Sequence, residues 1–226
     1  MSAAPMEVTL RRLSGALFEA VNPTGQKLLI DGPPNVGGVG GGLRPMEACL
    51  ASLASCSAVD VLLILHQQKE PLEDLEIHVH GDRADAVPAV FTDIHLHFAA
   101  SGRVTPGKLT RAVRLSMDKY CSVAKMLGAG GVRISHGISR FLPIEGARSG
   151  LRVRLTDDAI VARRAAGRAP GETLEGSRWL IAEQDGALVA VARLEDDGAP
   201  RRLFASDAPG IDEALGSAAM QARALS

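Results

Sequence analysis

An α+β fold is predicted for this 226-residue chain by three patterns. Residues 75–81 and 91–98 alternate polar and apolar side chains with period two, as half-buried strands do. Residues 48–68 are almost all small or apolar and contain no proline, which is the signature of a long buried helix. In the last third, Asp185-Gly186 between two apolar stretches signals a hairpin. Aromatic residues make up only 3% of the chain, so the core must be aliphatic.

The elements follow in order. Residues 6–31 read as strands, with Asn22-Pro23-Thr24-Gly25 as a turn before Lys27-Leu28-Leu29-Ile30. Gly37-Gly38-Val39-Gly40-Gly41-Gly42 lacks the lysine and the Ser/Thr of a phosphate-cradling loop, and reads as a flexible lead into the helix. Pro45 suits a first helical turn and Glu47 its positive dipole end. Within the helix, Asp60 interrupts an apolar face and requires a partner or a pocket. A hairpin centred near Ala86 would set Glu76 against His97, His78 against His95 and His80 against Asp93. Thr105-Pro106 starts a helix running to about Lys119, a turn at Tyr120 follows, and a second helix begins near Cys121. Strand-like segments at 132–135 and 138–142 close this part. Residues 144–150 read as a linker, so the expected domains are 1–143 and a small α+β extension, 150–226, ending in a helix over 211–225.

Charge and composition exclude several function classes. Acidic and basic residues nearly cancel (26 against 25), so no nucleic-acid partner is expected. The N-terminus has no basic segment followed by an apolar one, and an unbroken apolar run such as Val61 to Leu65 is too short for a bilayer. A cytoplasmic protein with no membrane partner is expected. In a reducing compartment, a disulfide among its three cysteines would be transient and functional.

Cys49 reads as packing, and a cysteine among alanines and leucines such as Cys56 is ordinarily a small buried hydrophobe. Cys121 differs: a helix N-terminus with Lys119 and Lys125 nearby would favour its thiolate. Four histidines, at 78, 80, 95 and 97, share one sheet face. They could form a zinc array, but a solvated face with His–carboxylate pairs is the expected reading, with no metal.

Gly42-Leu43-Arg44-Pro45-Met46-Glu47, the following Leu-Ala-Ser-Leu-Ala-Ser-Cys56, and Ser116-Met117-Asp118-Lys119-Tyr120-Cys121-Ser122-Val123 resemble the paired cysteine motifs of the OsmC/Ohr family of thiol peroxidases. The resemblance covers about residues 6–142. It implies an OsmC-like fold with long central helices on antiparallel sheets, an intertwined homodimer, and an active site at the subunit boundary. It also implies Cys56 as the peroxidatic cysteine, Cys121 as the resolving one, and Glu47 as the glutamate that positions an arginine. Arg12 is the first candidate for that arginine, with Arg11 and Arg44 as alternatives. The implied function is reduction of organic hydroperoxides, needing an external dithiol reductant and no organic or metal cofactor. The alternative is a non-catalytic dimer that binds a small apolar ligand at its interface.

Overall fold

The computed structural model describes residues 5–142, 150–158, 161, 178–185, 187–197, 199–205 and 210–224. The chain divides within its first helix into two compact units, Met1–Ser55 and Cys56–Ser226. The linker expected at 144–150 falls almost wholly outside the described residues.

In the first unit, β1 (Thr9–Ser14), β2 (Leu17–Val21) and β3 (Lys27–Asp31) form an antiparallel meander. Asn22 shapes the β2–β3 turn by accepting the backbone N–H groups of Thr24 and Gln26 at 3.2 and 2.9 Å. The glycine-rich segment is a clasped loop and not the flexible lead expected. Asp31, 2% exposed, accepts N–H bonds from Gly32, Val39 and Gly41 at 2.8, 2.8 and 3.0 Å. The bond from Gly41, joined by those from its neighbours, outweighs burial and holds the Asp31 carboxyl below the usual range. Loop amides that a phosphate would require are therefore engaged by a carboxylate of the chain itself. Gly38 must be glycine for this path, because a Cβ there would stand 1.9 Å from the Gly32 carbonyl oxygen.

Helix α1 (Pro45–Gln67) opens with Pro45 and passes from the first unit into the second. Ser57, Val61 and Leu65 form a buried stripe at four-residue spacing, while Val59, Leu62 and Leu63 remain 64%, 47% and 55% exposed. The expectation that α1 is buried on most sides is thus corrected. By length and composition alone α1 is also apolar enough to cross a membrane.

The second unit carries a seven-stranded sheet in the order β10-β9-β8-β7-β6-β5-β4. β4 (Leu72–Arg83) and β5 (Phe91–Gly102) form the predicted hairpin, with the register two residues away from the one expected. His78 pairs with His97, His80 with His95, and Asp82 with Asp93. A bulge at Asp82–Arg83 and a connection that closes only at Ala84–Val90 move the centre, and the even shift preserves which residues share a face. β6 (Arg133–Leu142) pairs parallel with β5, so the sheet is not wholly antiparallel. That pairing needs a crossover, which is supplied by α2 (Pro106–Leu115), a π-helical turn (Ser116–Tyr120) and α3 (Ser122–Ala129). Two ion pairs fix its ends. Glu70 receives the Lys108 ammonium and the Thr105 N–H, both at 2.6 Å, and Arg133 grips Asp93 bidentately at 2.6 Å.

Residues beyond the linker continue the same sheet. β7 (Leu151–Thr156) pairs antiparallel with β6 and is followed in space by β8 (Arg178–Gln184), β9 (Ala187–Leu194) and β10 (Pro200–Ala205). β8 and β9 pair antiparallel up to Gln184 and Ala187, as the predicted hairpin requires, and Gly186 of its turn lies outside the described residues. Helix α4 (Ile211–Ala224) lays Ile211, Leu215, Ala218 and Ala222 against Val153, Leu180, Ala190 and Ala192. Trp179 is fully buried on β8. Trp179→Ala should destabilise the protein by about 3–5 kcal/mol, read as a lowered denaturant midpoint. An unchanged midpoint would contradict the packing described.

Candidate active site

Cys56 and Cys121 both belong to the second unit, and the structure brings their thiols into hydrogen-bonding contact. Cys56 rides on α1, half-buried, four residues before Asp60 on the same helix face. Asp60 finds the partner that its place on an apolar helix demanded. Ser116 Oγ lies 3.0 Å from Asp60 Oδ2 and 3.2 Å from the Ser57 carbonyl oxygen, tying α1 to the first residue of the π-turn. At the other end of that turn, the Cys121 N–H donates to the Ser116 carbonyl at 2.8 Å. One serine therefore fixes α1 and the turn that presents Cys121.

Cys121 is also the N-cap of α3, where its sulfur accepts the Ala124 N–H at 3.5 Å. The helix start was expected to favour a thiolate, and the structure reverses that expectation. Cys121 is fully buried, and burial pushes its thiol up to about 11. The Ala124 N–H opposes this shift, and the adjacent Cys56 adds to it, since a proton on Cys121 is what bonds the two sulfurs. Lys119, one of the two cations invoked, instead places its ammonium 5.2 Å from the Tyr120 ring centroid. The pair is therefore asymmetric: an accessible Cys56 faces a buried Cys121 that keeps its proton.

The sequence profile of the OsmC-like protein family matches residues 38–137, which span the glycine-rich loop, α1, the hairpin, the crossover and the start of β6. Protein YhfA of Escherichia coli strain K12 is 36% identical over 132 residues, covering 58% of this chain and 95% of that protein. The chain belongs to the OsmC-like family. A crystal structure of a hypothetical protein from Aquifex aeolicus VF5 agrees, at 32% identity and TM-score 0.52, with 61% of this chain covering 98% of that one. An OsmC-like protein from Mycoplasma pneumoniae shares the fold at 16% identity and TM-score 0.53, over 62% of this chain and 99% of that one. The family match stops at residue 137, so β7–β10 and α4 lie outside it.

The remaining predicted residues of this OsmC-like protein lie in the first unit. Glu47 accepts the Arg44 N–H at 2.9 Å, closing the start of α1 from its third position as a capping glutamate does. Arg12 is exposed on β1, and its Nε donates to the Gly15 carbonyl at 2.7 Å. Arg11 lines a surface cleft of about 410 Å³ with Glu7, Glu19 and Lys27. Ser116 was not singled out from sequence. It opens the second cysteine motif without a role of its own, and its place five residues before Cys121 acquires meaning once the turn is known to be π-helical.

The thiol asymmetry has a direct chemical readout. With its pKa near 11, Cys121 is about one part in a thousand thiolate at pH 8. Iodoacetamide at pH 8 should therefore label Cys56 well before Cys121, with Cys121 labelling as pH rises toward 11 or when the chain is unfolded. Equal labelling rates in the native protein would contradict the asymmetry.

Proposed function

We propose that this OsmC-like protein reduces organic hydroperoxides with Cys56 as the attacking thiolate and Cys121 as the resolving thiol. The observation that carries this reading is the contact between an accessible sulfur and a buried, protonated one. Attack by the Cys56 thiolate breaks the O–O bond, leaving a sulfenic acid on Cys56 and releasing the alcohol after one proton is taken up. Cys121 then displaces hydroxide from that sulfenic acid, forming the disulfide and one water. An external dithiol returns both sulfurs to the reduced state. A partner already in contact captures the sulfenic acid before a second peroxide can oxidise it further. Glu47 and Arg12 keep in this reading the roles assigned by resemblance, with Arg12 as the cation that favours thiolate in the attacking residue.

The reading includes a homodimer. Val59, Leu62 and Leu63 leave an apolar strip of α1 uncovered, and a second copy of the chain is the occupant proposed for it. In sedimentation the protein should run at twice 23.7 kDa, and Leu63→Glu should shift it toward the single-chain mass. A wild-type protein that sediments as a monomer would remove the dimer from the proposal.

Activity is tested by adding an alkyl hydroperoxide to the fully reduced protein and counting free thiols. Two thiols per chain should be lost with Cys56 and Cys121 joined, Cys121→Ser should accumulate a sulfenic acid, and Cys56→Ser should lose turnover by at least a thousandfold. If both thiols stay reduced, peroxidase function is lost. A small-ligand-binding role that survives Cys56→Ser would then take its place.

A further inference from the structure

His95 and His97 project from β5 on the face opposite Leu96 and Phe98, and the segment after β7 carries Asp158 over them. A single oxygen, Asp158 Oδ2, meets both rings: His95 Nε2 at 2.9 Å and His97 Nδ1 at 2.7 Å. The far nitrogen of each ring meets a serine of β6. His95 Nδ1 lies 2.8 Å from Ser135 Oγ, and His97 Nε2 lies 2.8 Å from Ser139 Oγ. Between those serines Gly137 leaves the space that the carboxylate fills, since a Cβ there would stand 1.7 Å from Asp158 Oδ2. The His97, Asp158 and His95 side chains are 1%, 4% and 11% exposed.

We infer that His95, His97 and Asp158 form a binding site for one transition-metal ion of the zinc class. Two imidazole nitrogens and one carboxylate oxygen suit Zn²⁺, Co²⁺ or Ni²⁺, whereas Ca²⁺ and Mg²⁺ prefer oxygen throughout. The three donor atoms lie within 4.8 Å of one another, with Asp158 Oδ2 in contact with both ring nitrogens. A tetrahedral ion with bonds of 2.0–2.1 Å spaces its ligands by about 3.3 Å, so the 2.7 and 2.9 Å contacts would open by about half an ångström while the two ring nitrogens, within 4.8 Å of each other, settle at the same spacing. Ser135 and Ser139 supply the outer support that metal-bound histidines have. With the ion bound, each serine hydroxyl would accept an outward ring N–H; without it, the inward ring nitrogens donate to the ionised Asp158 and the serine hydroxyls donate to the outward ones.

Protonation agrees with this geometry. Burial lowers the His97 pKa more than Asp158 raises it, so the ring is neutral. The Asp158 carboxyl, which burial alone would raise, is held well below its usual range by the two imidazoles and is ionised. These charges suit a metal ion, and binding would move each ring proton from the inward nitrogen to the outward one facing its serine. Arg154, the cation that acts on His97, is held by Glu183 at 2.6 Å, so its charge is largely answered. The neighbouring His78 and His80 pair with Glu76 and Asp82 at 2.7 and 2.8 Å and are not assigned as ligands. The expected solvated face therefore describes His78 and His80, while His95 and His97 belong to a buried cluster. Three protein ligands leave a fourth position for water, and the ion would fasten the segment after β7 to β5.

The test is titration of the chelator-treated full-length protein with Co²⁺ and with Zn²⁺, followed by absorption, metal analysis after gel filtration, and thermal melting. The expected result is one ion per chain, a Co²⁺ spectrum of nitrogen and oxygen ligation, and a raised melting temperature. Asp158→Asn and His97→Gln should weaken binding at least tenfold, and Ser139→Ala should weaken it by roughly 10- to 100-fold. Gly137→Ala, which displaces Asp158 without changing any ligand, should also weaken it. Failure of the wild-type protein to retain metal would overturn the inference. So would a sulfur-to-cobalt charge-transfer band, which would place the ion on the cysteines, a readout that needs no variant to fold.

Discussion

The parallel pairing of β5 with β6 is the interaction from which the other features of the second unit follow. Parallel neighbours cannot be joined by a tight turn, so the chain must leave the sheet and return, and it does so through α2, the π-turn and α3. That excursion carries Cys121 to Cys56 on α1. The same pairing leaves the other edge of β6 open, and β7 takes it. Thus one strand holds the thiol-bearing crossover on one side and the C-terminal strands on the other. The Arg133–Asp93 ion pair, bidentate across β5 and β6, fixes their register at the first pairing.

The thiol pair illustrates how competing effects are decided. The first-turn amide of α3 points at the Cys121 sulfur and favours charge, a local effect that can be anticipated from a helix start. Burial is a property of the whole fold, and it prevails here. The division of labour proposed for the two sulfurs therefore rests on accessibility more than on helix electrostatics. The resemblance assigned the roles in the same order for reasons of motif alone.

Much of this was legible in the residues. Period-two alternation located β4 and β5, the long apolar run located α1, and the two motifs located both cysteines and the family. What was not legible depended on chain geometry between the patterned segments. The β4–β5 register moved by two because neither the bulge at Asp82–Arg83 nor the connection length is encoded in alternation. The glycine-rich loop looked flexible because its clasp is one carboxylate, Asp31, at the end of the preceding strand. The histidine cluster was half visible: His95 and His97 share a face by spacing, but Asp158 lies 61 residues beyond His97, past the linker. The sequence suggested two strand-like segments, 132–135 and 138–142; only the continuous β6, in register with β5, puts Ser135, Gly137 and Ser139 on one face beside the histidines.

The π-turn has a consequence for how this part of the chain can vary in length. An α-helix advances about 100° per residue, and a π-turn holds one residue more than an α-turn within a single loop of backbone. Cys121 stands where that extra residue delivers it, with its N–H bonded five positions back to Ser116. Loss of any one residue between Ser116 and Cys121 would restore ordinary helical winding and swing the sulfur about a quarter of a turn around the axis. The thiol pair is therefore more tolerant of changed side chains in this stretch than of a changed residue count, and insertions or deletions there would separate two cysteines that both remained in the sequence.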